Sequence, residues 1–227
     1  MPPVSIQEHF ASDALPVLED ALALAPAKRR SPYPELKRLL DLMGALAVLV
    51  FALPLLLAVA LWIRVDSRGP VLFRQTRLGR DGRPFRILKF RTMTVVEDGA
   101  DVVQAERGDV RITFAGRFLR GSSLDELPQL LNVIRGEMSL VGPRPHAEIH
   151  DRHYAGQILG YEGRQAVKPG ITGWAQVSGY RGGTPTLELM RKRVEYDLWY
   201  VRHASLGLDL LILALTPFAL LRARNAY

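Results

Sequence analysis

Two adjacent carboxylates, Asp125 and Glu126, are the side chains in this sequence best suited to catalysis. They follow an arginine-rich stretch and precede the rigid sequence GPRP at positions 142–145. One carboxylate can attack a phosphoryl group while a second binds Mg²⁺, and nearby arginines can neutralise phosphate charge through paired hydrogen bonds. Acidic residues also stabilise the first turn of a helix, so a purely structural role fits the pair alone as well.

Lys89 and Arg91 form a second candidate site, at the end of a segment in which apolar and basic residues alternate. They suit either an exposed cationic strand face or a clamp for a diphosphate. The sequence has neither a Walker loop nor a dinucleotide fingerprint, so a phosphate site here would not be of the P-loop kind.

Histidines and serines near the acidic pair are weaker candidates. His146, His150 and His153 are close in sequence but lack the spacing of a closed metal site. Ser122 and Ser123 lack the pattern that surrounds a nucleophilic serine, and we interpret them as helix caps.

The elements that must position these residues follow from the apolar pattern. Residues 71–90 alternate apolar and basic side chains around an Asp-Gly turn, which predicts a β-hairpin with one apolar and one cationic face. Ser122 or Ser123 would begin a helix that carries the acidic pair in its first turn, and Gly136 would end it. Further predicted elements are short helices at 112–120 and 147–159, a glycine-rich loop at 168–183, an amphipathic helix at 187–200 and an apolar helix at 205–222.

The longest apolar stretch, 42–63, has about the ~20 residues that a helix needs to cross a bilayer. Pro54 lies at its middle and would break or kink the helix. Arg38 and Arg64 flank it, which favours a cytoplasmic position for both ends. A hairpin that re-enters the same leaflet, with its break at Pro54, satisfies both observations; a simple spanning anchor is the alternative. Asp41, at the edge, is expected to pair with Arg38.

The composition limits the function classes. The 227 residues suffice for one domain plus a membrane element, and the formal charge of +7 suits anionic headgroups or phosphorylated substrates. No nucleic-acid-binding signature is present, and the lack of cysteine excludes disulfides and thiolate catalysis. We predict a variable leader at 1–34, a membrane helix at 35–66 and a catalytic domain at 67–227.

Three motifs resemble those of the bacterial sugar transferases, the monotopic phosphoglycosyl transferases. They are KFRTM at 89–93, LRGSSLDELPQLLNVIRGEMSLVGPRP at 119–145 and VKPGITGWAQVSGYRG at 167–182. The resemblance extends from about residue 35 to the C-terminus. The later segment GYRGGTPTLELMRKRVEYDLWYV and the closing RNAY resemble the glucose-phosphate branch most.

The resemblance implies roles for individual residues. Asp125 is the expected nucleophile and Glu126 its partner, and the two are the expected ligands of a Mg²⁺ cofactor. The residues expected to bind the substrates are Lys89 and Arg91 at the diphosphate, Arg120 at the lipid phosphate, Pro143, Arg144 and Pro145 at the uridine, and also Arg181.

The implied fold is an α+β, mainly helical monotopic membrane domain. It combines a Pro-broken re-entrant helix, a small β-hairpin and interfacial amphipathic helices on the cytoplasmic face of the bacterial inner membrane. The implied enzyme transfers a hexose 1-phosphate, with glucose expected, from a UDP-sugar to undecaprenyl phosphate. UMP is released through a covalent phosphosugar–aspartate intermediate, at the start of exopolysaccharide, capsule or glycan assembly.

Two alternatives fit the same sequence. One is the same chemistry with UDP-galactose or an N-acetylhexosamine donor, and the other is a non-catalytic membrane scaffold. The expected partners are the donor, the lipid acceptor, membrane lipid, a second copy of the chain and downstream glycosyltransferases; nucleic acid is not expected.

Overall fold

The computed structural model describes residues 33–94 and 109–222, and these form a mixed, mainly helical fold. The helices are α1 (Tyr33–Asp66), α2 (Phe114–Ser122), α3 (Gln129–Arg135), α4 (Glu148–Ala155), α5 (Trp174–Val177), α6 (Leu187–His203) and α7 (Leu206–Arg222). The strands are β1 (Leu72–Leu78), β2 (Pro84–Phe90), β3 (Ser139–Val141) and β4 (Gly170–Thr172). The predicted leader lies outside the described residues except for its last two, which begin α1.

The predicted β-hairpin is confirmed. Strands β1 and β2 pair antiparallel, with Leu72 opposite Phe90 and Leu78 opposite Pro84. A 3₁₀ turn, Arg80–Gly82, joins them, and its Asp81 has a positive φ of 57° that aspartate tolerates better than most side chains. The hairpin therefore presents Lys89, near the end of β2, at a fixed position.

A second, parallel pair of strands lies where no strand was predicted. β3 pairs with β4, with Ser139 opposite Gly170 and Val141 opposite Thr172. The predicted glycine-rich loop therefore begins with a strand and continues into the short helix α5. Strands of three residues are too short to show alternation, and their pairing joins distant parts of the chain.

α1 has 34 residues and is the one helix in the described ranges long and apolar enough to cross a membrane. The helix continues without interruption through Pro54, so the predicted break of the membrane helix at this residue is not confirmed. Both ends of α1 nevertheless pack against the same domain. Ala45 joins a buried cluster with Val133 and Leu140, and Ile63 joins one with Phe90 and Leu119.

Polar contacts attach the start of α1 to the domain. Asp41 is buried, and one of its carboxylate oxygens accepts from the Ser139 hydroxyl and from the Leu140 N–H, each at 2.9 Å. Arg38 donates instead to the carbonyls of Val133 and Ile134, at the end of α3. The predicted Arg38–Asp41 pair is therefore wrong, because each side chain finds backbone groups of the domain.

Asp209 is a buried carboxylate within the otherwise apolar helix α7. Its side chain is buried and accepts from Lys37 Nζ at 2.7 Å and from the Tyr200 hydroxyl at 2.6 Å. A buried carboxylate is tolerated when it is paired and hydrogen-bonded. This contact joins α7 to the start of α1 and to α6.

Candidate active site

The acidic pair lies in a 3₁₀ turn, Leu124–Glu126, between two helices. The prediction of one helix that begins at Ser122 or Ser123 is wrong. α2 ends at Ser122, whose hydroxyl donates to the Phe118 carbonyl at 2.8 Å, and α3 begins only at Gln129. Gly136 ends α3 as predicted, with φ of 85°.

Ser123 sets the direction of this turn. Its φ of 60° lies in the left-handed region, which is uncommon for residues other than glycine, and it ends α2. Arg181 Nη2 donates to the Ser123 hydroxyl, so the glycine-rich segment contacts the side chain of Ser123, two residues before Asp125. Arg181, one of the residues expected to bind substrate, thus lies near the acidic pair.

Asp125 is the less solvated of two unlike carboxylates. It is 8% exposed, and no hydrogen bond or ion pair is made by its carboxylate within the described ranges. Burial and the neighbouring Glu126 charge raise the pKa of Asp125 to about 6, against the opposing effect of Lys89, Arg144 and Arg120. An unpaired carboxylate next to several cations suits nucleophilic attack on a phosphoryl group.

Glu126 is held by two cations. One carboxylate oxygen accepts from Lys89 Nζ at 2.9 Å, and the other accepts from Arg144 Nη1 at 3.0 Å. Burial alone would raise the pKa of Glu126, but Arg144 and Lys89 outweigh it and hold that pKa well below its usual range. Glu126 is therefore a fixed anion, while the pKa of Asp125 is shifted in the opposite direction.

The Pro143–Pro145 loop is fixed through its three carbonyls. Pro143 O accepts from the Gly170 N–H at 2.9 Å, and Pro145 O accepts from Arg77 Nη1 at 3.1 Å. Between them, Arg144 O accepts from Arg164 Nη2 at 2.7 Å. These contacts hold the Arg144 side chain against Glu126.

Glycine is required where this loop meets β4. A Cβ on Gly170 would lie 2.1 Å from Gly142 N, and one on Gly142 would lie 2.4 Å from the Lys168 carbonyl. Only glycines allow the two backbones to approach this closely. The glycine-rich motif therefore supports the loop that carries Arg144.

Arg120 and Arg91, which were also expected to bind substrate, lie in different surroundings. Arg120 lies in the last turn of α2, and its charge acts on Asp125. Arg91 is 3% exposed and donates to the carbonyls of Ser67 and Arg68, in the turn after α1. Arg91 thus connects the end of β2 to the turn after α1 through hydrogen bonds. Within the described residues, it makes no contact with Glu126.

The three histidines do not form a metal site. His146 is buried, whereas His153 is exposed and contacts Gln157. No group of three or more potential His, Cys, Asp or Glu ligands occurs in the parts of the chain that the structure describes.

A cleft beside Arg144 contains Arg77 and Gln129, which the sequence did not single out, and His146, which the sequence analysis considered only as a metal ligand. Its volume is about 120 Å³, and its lining includes Lys89 and Arg144 together with Arg77, Gln129 and His146. Arg164, behind this wall, is buried and connects Arg144 O to Asp197. Nothing in the local sequence indicates these roles, because the partners come from separate segments.

The buried charge of Asp125 gives a prediction for stability. A folded-state pKa of about 6, above the usual 3.8, means that the folded protein binds a proton more tightly than the unfolded chain. That stabilisation is present below about pH 4 and is lost as the pH rises through about 6. Asp125→Asn should therefore gain stability relative to the parent between pH 4.5 and 7, by at most about 3 kcal/mol.

Thermal or chemical unfolding in detergent with EDTA would measure this difference. Asp81→Asn, at an exposed carboxylate in the hairpin turn, is the matched control and should show no such trend. An equal pH dependence for the Asp125→Asn variant and the parent would contradict the raised pKa.

Comparison with known proteins identifies the family. The model of the bacterial sugar transferase family matches residues 33–223. A Caulobacter vibrioides protein named UDP-glucose:undecaprenyl-phosphate glucose-1-phosphate transferase is 50% identical over 232 residues, covering 97% of this chain and 87% of that protein. An Escherichia coli protein of the same name is 52% identical over 183 residues, covering 81% of this chain and 39% of that protein.

A relative with lower identity is named for a different donor. It is a UDP-galactose-lipid carrier transferase of Erwinia amylovora, 42% identical over 216 residues, covering 88% of this chain and 43% of that protein. The chain thus spans most of the Caulobacter protein but about two fifths of the other two. Because the family match includes the acidic pair, the fixed loop and nearly all the described residues, the chain belongs to the bacterial sugar transferases.

Proposed function

We propose that this chain transfers a hexose 1-phosphate, with glucose as the first expectation, from a UDP-sugar to undecaprenyl phosphate and releases UMP. This reaction would begin the assembly of an exopolysaccharide, capsule or other glycan. The observation that carries the proposal is the buried Asp125, whose carboxylate makes no hydrogen bond or ion pair with the described residues, beside a Glu126 that two cations hold in place. The Caulobacter relative, named for this reaction and similar along nearly the whole chain, supports it.

The first half of the reaction would use Asp125 as a nucleophile. A carboxylate oxygen attacks the β-phosphorus of the UDP-sugar, and the bond from that phosphorus to the bridging oxygen breaks. UMP leaves with that oxygen and the bonding electrons. The enzyme then carries a phosphosugar on Asp125 as an acyl phosphate.

Cations of the site would neutralise the charge that develops during this step. Lys89 and Arg144 already contact Glu126, and both reach the neighbourhood of Asp125. Preorganised positive charges of this kind stabilise a phosphoryl transition state without rearrangement. Arg91 is left out of this role because its guanidinium contacts the turn after α1.

The acidic pair fits a Mg²⁺ ion. Mg²⁺ binds proteins through one or two carboxylates and takes its other ligands from water and substrate phosphates, and Asp125 offers a carboxylate without a hydrogen bond in the described residues. Asp125 and Glu126 would hold the ion, and it would supply positive charge to the donor diphosphate.

The second half would return Asp125 to its free state. An oxygen of the lipid phosphate attacks the phosphorus of the acyl phosphate, and the bond from phosphorus to the Asp125 oxygen breaks. The product is the lipid diphosphate sugar. Arg120, whose charge acts on Asp125 from the end of α2, would attract the lipid phosphate.

A panel of donors tests the function. The purified chain, in detergent with undecaprenyl phosphate and Mg²⁺, would be given UDP-glucose, UDP-galactose and UDP-N-acetylhexosamines, and UMP release would be measured. We expect UDP-glucose to be the preferred donor. Preference for UDP-galactose would support the second candidate, which the Erwinia relative favours, and no release from any donor would favour a scaffold.

For the membrane arrangement, we propose that α1 re-enters the cytoplasmic leaflet and bends at Pro54. The support is that Ala45 and Ile63, on either side of Pro54, are both buried against one domain, whereas Phe51 between them is 88% exposed. A straight helix of 34 residues would be about 51 Å long, more than the ~30 Å hydrocarbon core. A bend would keep Asp125 near the headgroups, where a cytosolic donor and a lipid acceptor meet.

Cysteine labelling tests this arrangement, since the chain has no cysteine of its own. Glu35→Cys and Thr94→Cys place single thiols at exposed positions before and after the apolar stretch. An impermeant maleimide should label both from the cytoplasmic side. Labelling of the two from opposite sides would contradict re-entry and support a spanning helix.

A further inference from the structure

Three residues that line the Arg144 cleft each contain a buried polar atom that has no hydrogen-bond partner in the described part of the chain. These atoms are Arg77 Nε, Gln129 Nε2 and His146 Nε2. Gln129 is 1% exposed and His146 is 7% exposed. A buried donor that lacks an acceptor is unfavourable, so several of them beside one cleft indicate a ligand that supplies acceptors.

The neighbours of His146 determine which of its nitrogens carries the proton. Arg164 Nη1 lies 3.1 Å from His146 Nδ1, and a guanidinium can only donate. Nδ1 must therefore accept, which places the ring proton on Nε2. The Tyr161 hydroxyl lies 2.6 Å from the same Nδ1 and donates its proton to Asp151 Oδ1 at 2.7 Å, so Arg164 is the donor to Nδ1.

His146 also stays neutral. Burial, with the charges of Arg164, Arg193, Arg77 and Arg144, lowers the pKa of His146 well below its usual range. The ring thus carries one N–H donor, at Nε2, in a residue that lines the cleft, and the contacts of Nδ1 keep the ring from turning.

We infer that His146 Nε2 and the Gln129 amide donate hydrogen bonds to oxygens of the sugar-nucleotide donor and position it in this cleft. The inference rests on the proposed function and adds two residues to its binding site. Both side chains act on the nucleotide, not on the reacting phosphorus, and are positioning residues.

The properties of the cleft favour the nucleotide over the lipid. Lys89 and Arg144 line it and also contact Glu126, so the cleft opens directly onto the acidic pair. Diphosphate and uracil offer oxygen acceptors along much of the nucleotide, whereas undecaprenyl phosphate offers them only in its single phosphate, at the end of an apolar chain. The exposed apolar side chains that suit a lipid lie elsewhere, as in Phe51 on α1 and Phe118 on α2.

Two substitutions of His146 separate binding from structure. His146→Asn keeps an acceptor near the Nδ1 position for Arg164 but removes the donor at Nε2. His146→Gln can return an N–H to the Nε2 position. We expect His146→Asn to raise KM for the UDP-sugar and Kd for UDP by roughly tenfold to hundredfold, and His146→Gln to recover most of this loss.

The measurements are steady-state UMP release and calorimetric titration with UDP, both with the full chain in detergent. KM for undecaprenyl phosphate should stay within about twofold of the parent value, because the lipid does not contact this cleft. Gln129→Met should weaken UDP binding in the same direction. His153→Asn, at an exposed histidine outside the cleft, is the matched control and should leave both constants unchanged.

The inference would be overturned if UDP binding were unchanged in both His146→Asn and Gln129→Met. It would also be overturned if His146→Asn bound UDP as well as the parent while His146→Gln did not. These outcomes differ from failure of the proposed function, in which the parent chain itself releases no UMP from any donor.

Discussion

Replacing Asp125 with asparagine is expected to lower kcat by about 10⁴-fold or more, because an amide cannot form the acyl phosphate. The variant should still bind UDP, since the cleft and its cations are unchanged. UMP release would measure the loss of turnover. Intact mass spectrometry of the parent after incubation with UDP-glucose and Mg²⁺, without lipid acceptor, should show one added phosphohexose on Asp125.

Asp81→Asn is the control for this experiment. It makes the same chemical change at an exposed carboxylate in the hairpin turn, and it should keep the activity and the adduct of the parent. A parent that turns over without ever showing the adduct would contradict the covalent route. An active Asp125→Asn variant would contradict the choice of nucleophile.

The hairpin and the helix ends were predictable because their signals are local. Alternating side chains around an Asp-Gly turn defined β1 and β2, and Gly136 ended α3 where a left-handed residue was needed. The parallel pair β3 and β4 has no such signal. Its strands are three residues long, and their pairing depends on close approach of Gly142 and Gly170.

The acidic pair shows the limit of helix-capping rules. Ser122 and Ser123 precede Asp125 and Glu126 at a spacing typical of a helix start, and the sequence predicts one. In the structure, Ser123 instead ends α2 in the left-handed region, and the pair lies in a 3₁₀ turn. The contact from Arg181, 58 residues later, accompanies this conformation, and local sequence cannot reveal it.

Buried charged residues of this chain have partners that lie far away in the sequence. Asp209 is an acidic residue within the apolar helix α7, and its partner Lys37 lies 172 residues earlier. Likewise, family resemblance assigned Arg91 to the substrate, whereas burial directs it to the carbonyls after α1. Residue type gives the chemistry that is available, and only long-range contacts decide whether it serves binding or folding.

The buried Arg164 is expected to be the largest single contributor to stability around the active-site loop. It is 5% exposed, and its Nε donates to Asp197 at 2.9 Å while its Nη2 holds the Arg144 carbonyl. Arg164→Met leaves Asp197 as a buried charge without this partner, which typically costs about 3–5 kcal/mol. Chemical unfolding would measure the loss, and kcat/KM for the donor should fall because the Arg144 loop loses a support.

Two further variants make this expectation specific. Arg152→Met removes an arginine from an exposed pair with Glu148, 78% and 36% exposed, and should change stability by less than about 0.5 kcal/mol. The double variant Arg164→Met with Asp197→Asn should regain part of the lost stability, because it also removes the unpaired charge. If the double variant were less stable than Arg164→Met alone, Asp197 would have other adequate partners, and the cost would have to come from the carbonyl and ring contacts of Arg164.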